Sequence, residues 1–128
     1  MFSRLKYPVL LVHGMGFRDS KLIGYWGRIP KAFLKAGCDV HLGYQDSNAD
    51  IETNAAHLAQ RIDQILEGTG AEKVNIIAHS KGGLDCRYAL SNLGAGSKVA
   101  SLTTISTPHH GSKTVDLLMK FPDPLIRF

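Results

Sequence analysis

The stretch "VNIIAHSKGGLDCRYAL", Val74–Leu90, sets a serine between a run of aliphatic residues and a pair of glycines. The aliphatic run predicts a strand, and the residues that follow the glycines predict a helix. A strand that passes into a helix with almost no loop places Ser80 at the carboxyl end of the strand, where ligands bind in parallel sheets. An ordinary helix N-cap is the plain alternative, because a serine hydroxyl accepts hydrogen bonds from backbone N–H groups one turn on.

The residues around Ser80 favour a chemical role. The segment "AHSKG", residues 78–82, follows the order small-x-Ser-x-Gly that is typical of a nucleophile elbow, a sharp turn that lifts the serine oxygen clear of the backbone. A serine needs a base before it can attack, and the oxyanion that then forms needs preorganised N–H donors. The N–H of Lys81, at the start of the predicted helix, faces the same space and is the first predicted donor.

The second donor is expected on a loop after an earlier strand. The stretch "VLLVHGMG", Val9–Gly16, supplies such a loop, because the predicted strand ends at His13. Gly14 and Gly16 allow the backbone of Met15 to turn its N–H inward. His13 is then predicted to brace the loop by hydrogen bonds rather than to act as a catalyst.

Strand-like and helix-like segments alternate along the whole chain. The predicted strands are Pro8–His13, Cys38–Tyr44, Lys73–Ala78 and Val99–Thr107. The predicted helices are a segment around Tyr25–Ala36, a segment that ends at Gly68–Gly70, a segment from Lys81 to about Leu93, and a short segment with Ser112 as its N-cap. This alternation predicts βαβ units with a parallel sheet, and therefore a single α/β domain over residues 1–128.

Two of these helices have an apolar face at helical spacing. The first face contains Trp26, Ile29, Phe33 and Leu34. The second contains Ile51, Ala55, Leu58, Ile62 and Ile65. Ser47, with Asp50 three residues later, is predicted to open the second helix as a capping box.

Composition narrows the classes of function. Of the 128 residues, 44% are hydrophobic and 20% are charged, so the chain can bury a core. The formal charge of +4 is modest and the basic residues are scattered, which argues against nucleic acid as a partner. No signal peptide and no membrane span are visible in the sequence. Cys38 and Cys86 match no metal-site spacing and are predicted to be buried free thiols, and no metal or organic cofactor is predicted.

Three motifs together carry a family resemblance: "HGMG" at residues 13–16, "AHSKGGLDCRYAL" at 78–90 and "TTISTPHHGS" at 103–112. From about Tyr7 to Ser112 the chain resembles the α/β-hydrolase superfamily, and more narrowly the bacterial triacylglycerol lipases, although Ala78 replaces the first glycine of the elbow. The resemblance implies a three-layer sandwich around a mostly parallel sheet. It also implies that Ser80 is an acyl-enzyme nucleophile and that the N–H groups of Met15 and Lys81 form the oxyanion hole.

The resemblance further implies an acyl ester or lipid substrate and a transient contact with a lipid interface. The expected activity is hydrolysis of carboxylic esters, as in a lipase or esterase. With no signal peptide visible, a cytoplasmic location is the default expectation, whereas the family resemblance is compatible with secretion.

The remaining members of a catalytic triad are not identified by the sequence. In this fold an acid and then a histidine follow the serine along the chain. The residues that could be considered after Ser80 are Asp85, Asp116, Asp123, His109 and His110. The resemblance implies that the histidine of "TPHHGS" shapes the pocket and is not the general base. His41 and His57 are predicted to be surface or satisfied residues, and His79 is predicted to point away from Ser80.

Two interpretations of function therefore stand. In the first, the chain is the N-terminal half of a lipase-like hydrolase domain, truncated at its C-terminal end, with little or no activity alone. In the second, the chain is a noncatalytic α/β-hydrolase-like binding protein in which Ser80 caps a helix and "HGMG" is a tight turn. An inactive fragment that lacks the triad acid and histidine fits the same sequence.

Overall fold

The central element of the computed structural model, which describes residues 5–14, 22–45, 49–118 and 120, is a parallel four-stranded sheet. Its strands are β1 (Val9–Val12), β2 (Val40–Leu42), β3 (Val74–His79) and β4 (Val99–Ile105). Their order across the sheet is β2-β1-β3-β4, and every neighbouring pair is parallel. The predicted α/β class with a parallel sheet is confirmed.

Helices connect the strands and cover both faces of the sheet. They are α1 (Leu22–Tyr25), α2 (Ile29–Lys35), α3 (Ile51–Thr69), α4 (Gly82–Asn92) and α5 (Lys113–Leu118), with a short 3₁₀ turn at Ala95–Lys98 before β4. None of the helices in the described ranges is long and apolar enough to cross a membrane.

The hydrophobic core has two parts, one on each face of the sheet. All four residues of β1 are fully buried, and they alternate between the two faces as a pleated strand requires. Leu10 and Val12 pack against the buried faces of α3 and α4, whereas Val9 and Leu11 pack with Trp26 and, at their margin, Phe33 of α2. The chain therefore forms the predicted three layers.

Helix α3 has clear start and stop signals. Its N-cap is Asp50, whose carboxylate accepts a hydrogen bond from the N–H of Thr53 at 2.7 Å, and its C-cap is Gly70 in the left-handed conformation. The predicted apolar face is confirmed, with Ala55, Leu58, Ile62 and Ile65 buried and Ile51 half-buried. The predicted capping box is wrong, because Asp50 itself occupies the N-cap position. Ser47 lies outside the described residues.

The predicted single helix around Tyr25–Ala36 is also wrong. The segment forms α1 and α2 with a break between them, where Gly27 has a φ of +57° that helical residues do not adopt. Trp26 lies in this break and is buried, whereas Leu34 of α2 is 58% exposed. Tyr25 and Phe33, on the two sides of the break, nevertheless pack against the same core cluster as Trp26.

Strand β4 is shorter than the sequence predicts, and both cysteines are buried. Strand β4 ends at Ile105 rather than Thr107, because Ser106 has a φ of +52° and leaves the extended conformation. Cys38 and Cys86 are buried and free, as predicted. Burial raises the pKa of the Cys86 thiol, so this side chain acts as a core residue.

Candidate active site

Ser80 lies at the point where the order of strands in the sheet reverses. The chain passes from β1 to β2 on one side and then returns to β3 on the other side of β1. The carboxyl ends of β1 and β3 therefore form a topological switch point, the place where parallel α/β sheets bind ligands. Gly14 follows β1 and Ser80 follows β3. A Cβ placed at Gly14 would lie 2.7 Å from the Cβ of Ser80 and 3.2 Å from its Oγ. The loop after β1 therefore lies directly on Ser80 and requires glycine there.

The backbone of Ser80 is held in an unusual conformation. Its φ is +55°, in the left-handed region that serine adopts at a cost of about 1–3 kcal/mol. The N–H of Ser80 donates to the carbonyl of Ile105 at 2.9 Å. The carbonyl of Ser80 accepts from the N–H of Gly83 at 3.1 Å and from the hydroxyl of Thr107 at 2.8 Å. These three hydrogen bonds fix a sharp turn between β3 and α4.

The hydroxyl of Ser80 does not cap α4. The N-cap position belongs to Lys81, and no side chain makes a capping hydrogen bond there. Across residues 5–14, 22–45 and 49–118, Ser80 Oγ makes no hydrogen bond, and the residue is half-buried. The interpretation of Ser80 as an ordinary helix cap is therefore wrong, and its oxygen is left accessible at the start of α4.

The two glycines after Lys81 allow α4 to approach the strands closely. A Cβ placed at Gly82 would lie 2.9 Å from the carbonyl oxygen of Val12 and closer still to that of His13. A Cβ placed at Gly83 would meet the side chain of Thr107. Both glycines are buried. The small residues of the elbow motif thus let the helix start against the end of β1.

The side chain of Lys81 belongs to a buried polar network. Its Nζ donates to Asp85 Oδ1 at 3.0 Å and to the carbonyl of Ala49 at 2.7 Å. Asn54 of α3 donates to Asp85 Oδ2 at 3.2 Å. Asp85 is only 1% exposed, so burial raises the pKa of its carboxyl, while the charge of Lys81 opposes that rise. Asp85 is therefore occupied in joining α3 to α4. The spacing of Lys81 and Asp85 is the sequence signal that could have predicted their pairing.

His13 braces the loop after β1, as predicted. It is buried, and its Nδ1 donates to the carbonyl of Gly14 at 2.8 Å. Its own carbonyl accepts from Gln45 Nε2, a residue after β2, at 2.7 Å. Gln45 was not singled out from the sequence, because only the pairing of β1 with β2 brings it to this loop.

No described histidine forms a hydrogen bond with Ser80. His79 contacts the hydroxyl of Tyr25. His109 accepts from Arg87 Nη1 at 3.0 Å through Nδ1, so its proton sits on Nε2, which lies 3.1 Å from Thr104 Oγ1. The other candidates are placed elsewhere: His41 Nε2 lies 3.0 Å from Asp39 Oδ2, and His57, His110 and Asp116 are exposed.

Two predicted residues, Met15 and Asp123, lie outside the described residues. The described residues thus bring together Ser80, the first amides of α4 and Gly14 after β1. Among these same residues, no group of three or more His, Cys, Asp or Glu side chains could hold a metal ion.

Comparisons with known proteins agree with this geometry. Residues 7–125 match the family model described as the alpha/beta hydrolase fold. The chain is 37% identical to a triacylglycerol lipase of Pseudarthrobacter phenanthrenivorans over 123 residues, covering 91% of this chain and 38% of that protein. It is also 37% identical to a triacylglycerol lipase of Burkholderia plantarii, covering 91% of this chain and 34% of that protein.

A solved structure extends the likeness to three dimensions. The mature form of the Bacillus licheniformis lipase BlEst2 superposes with a TM-score of 0.81 at 32% identity, over 89% of this chain and 46% of that one. The chain thus spans between a third and two fifths of the length of the two triacylglycerol lipases, 34% and 38%. The family-model match, the sequence identities and the superposition all point to one family. The chain belongs to the α/β-hydrolase fold family.

Proposed function

We propose that this chain carries the nucleophile of a serine hydrolase that cleaves carboxylic acyl esters, as a lipase or esterase does. The observation that carries the proposal is the conformation of Ser80. Its backbone is held at a φ of +55° while its hydroxyl makes no hydrogen bond within the described residues. Structures maintain such a local cost at sites where the strained geometry has a use.

In the proposed reaction, Ser80 Oγ attacks the carbonyl carbon of the ester as its proton passes to a base. The carbonyl oxygen then carries negative charge, and the N–H of Lys81 at the start of α4 is one donor to it. The N–H of Met15, which follows Gly14, is the second proposed donor. Collapse of the tetrahedral intermediate expels the alcohol and leaves an acyl group on Ser80, which water removes in a second step.

We place the base and the acid of the proposed triad outside the described residues, because no described histidine or carboxylate hydrogen-bonds to Ser80. Asp85 is already paired with Lys81, and both ring nitrogens of His109 face other partners. The proposed activity therefore belongs to the full-length protein. The names of the relatives, triacylglycerol lipases, support an acyl ester or lipid as the substrate class.

The experiment that tests this proposal is hydrolysis of p-nitrophenyl esters of several chain lengths by the full-length protein. Ser80→Ala should abolish turnover and leave the unfolding curve in place, since alanine is smaller than serine and the lost hydroxyl bonds to no described residue. Ser91→Ala, at an exposed position of α4, is the matched control and should keep full activity. Ester turnover that persists in Ser80→Ala would refute the proposal. If the wild-type protein binds esters but does not hydrolyse them, a noncatalytic binding function replaces it.

A further inference from the structure

The hydroxyl of Tyr25 lies between the two loops that form the candidate site. Gly14, on the loop after β1, donates its N–H to Tyr25 Oη at 2.9 Å. Tyr25 Oη also hydrogen-bonds to Nδ1 of His79, the residue immediately before Ser80. A hydroxyl can accept one hydrogen bond and donate another, so both contacts are satisfied together. Tyr25 Oη thus links Gly14 to His79, the residue just before the elbow serine.

The bond to Tyr25 fixes a peptide group beside Ser80. Gly14 is buried, and its two backbone polar groups are both held, the N–H by Tyr25 and the carbonyl by His13 Nδ1 at 2.8 Å. The same glycine approaches Ser80 so closely that a Cβ there would meet Ser80 Oγ at 3.2 Å. A change in the orientation of Gly14 would therefore move backbone groups next to the serine oxygen.

The ring of Tyr25 is positioned independently of its hydroxyl. It makes edge-to-face contacts with the rings of His13, Trp26 and His79, with centroid distances of 5.8, 5.4 and 5.3 Å. Such aromatic pairs stabilise packing without any hydroxyl. Burial raises the pKa of Tyr25, so the hydroxyl keeps its proton at neutral pH. Phenylalanine should therefore occupy the same space and remove the hydrogen bonds to Gly14 and His79.

We infer that Tyr25 is a positioning residue, whose hydroxyl holds Gly14 beside the serine elbow and so supports stabilisation of the transition state. This inference rests on the proposed function. It assigns Tyr25 a role in the rate of the chemical step, through Gly14 and His79, with no contact to the substrate required.

The test compares single variants of the full-length protein in ester hydrolysis. Tyr25→Phe should lower kcat about tenfold with KM little changed, well short of the roughly 10²–10³-fold loss caused by deleting an oxyanion donor. Tyr88→Phe is the matched control, because Tyr88 is a half-buried tyrosine of α4 that packs against the core. It should keep the wild-type kcat.

Substitutions at His79 test the second bond of Tyr25. His79→Asn retains a side-chain acceptor and should keep most of the activity, whereas His79→Leu should lower kcat as Tyr25→Phe does. The double variant Tyr25→Phe with His79→Leu should be no slower than the slower single variant, because both changes break the same link. If the fold-losses of kcat in the two single variants multiply in the double variant, Tyr25 and His79 act independently and the proposed link is contradicted.

Amide hydrogen exchange gives a readout that does not depend on activity. The N–H of Gly14 should exchange faster in Tyr25→Phe than in the wild type, at an unchanged melting temperature. A wild-type kcat in Tyr25→Phe, or a loss of kcat that only follows a loss of stability, would overturn the inference while the proposed function stands. A full-length wild type without ester turnover would instead overturn the proposed function, and the catalytic role of Tyr25 with it.

Discussion

Gly82 gives a quantitative test of the close approach between α4 and β1. A Cβ at this position would lie 2.9 Å from the carbonyl oxygen of Val12 and 3.0 Å from the carbonyl carbon of His13, whereas ordinary van der Waals contact begins near 3.4 Å. The facing atoms are backbone atoms, so no side-chain rotation can relieve the contact. Strand β1 is fully buried and paired on both sides, so it cannot move away alone.

The expected cost of Gly82→Ala follows from this geometry. Overpacking a core with one methyl group typically destabilises by about 1–3 kcal/mol. The atoms of Val12 and His13 that face the new methyl group are backbone atoms. We therefore expect a loss at the upper end of this range, about 3 kcal/mol of the free energy of unfolding. The larger Gly82→Val should lose more and should damage folding itself.

Gly68→Ala is the matched control for the same chemical change. Gly68 lies in α3, and a Cβ there would meet no atom within 4 Å. Since alanine is the better helix former, this variant should gain up to about 1 kcal/mol. Urea denaturation measures both changes in the free energy of unfolding, provided that the slope of this free energy against urea concentration is the same as in the wild type. If Gly82→Ala unfolds at the wild-type urea concentration, the close approach of α4 to β1 is not a real constraint.

Two further predictions concern the elbow. Lys81→Met should cost about 3 kcal/mol near pH 7, because it removes the cation beside the buried Asp85. The folded-state pKa of Asp85 is raised, so the stability that this carboxyl contributes is present at low pH and is lost as the pH rises through that pKa. Without the charge of Lys81, the pKa of Asp85 rises further, and more stability is lost when this carboxyl ionises. The cost of Lys81→Met in urea denaturation should therefore be smaller near pH 4 than near pH 7. Lys98→Met, which breaks the exposed pair with Asp63, should cost less than about 1 kcal/mol at both pH values, and an equal cost for the two lysines would contradict the buried network. Ser80→Gly should be more stable than Ser80→Ala by about 1 kcal/mol in thermal unfolding, because glycine adopts a φ of +55° without steric cost; equal stability would show that the turn is not strained.

The parts of the fold that depend on local pattern could be predicted from the sequence. Aliphatic runs and one more alternating stretch located the four predicted strands, and the spacing of apolar residues located the buried face of α3. The elbow at Ser80 could also be placed, because a strand, a serine and two glycines in that order leave few other conformations. Local signals of this kind act within about one turn of helix or one strand.

The parts that depend on tertiary contacts could not be predicted. Ser47 and Asp50 are both good N-cap residues, and sequence alone does not decide which of them begins α3. The link between Tyr25 and His79 joins residues 54 positions apart, so it exists only once the sheet has formed. Asp85 could be regarded as a triad acid until its burial beside Lys81 was visible.

The most direct test of the central claim is covalent labelling of the full-length protein with a fluorophosphonate, followed by mass spectrometry of its peptides. The reagent reacts with a serine whose hydroxyl is both activated and accessible, and it needs no knowledge of the natural ester. We expect one adduct, on Ser80, that disappears in Ser80→Ala and persists in Ser91→Ala. A folded protein that remains unlabelled at Ser80, or that is labelled on a different residue, would contradict the assignment of Ser80 as the nucleophile.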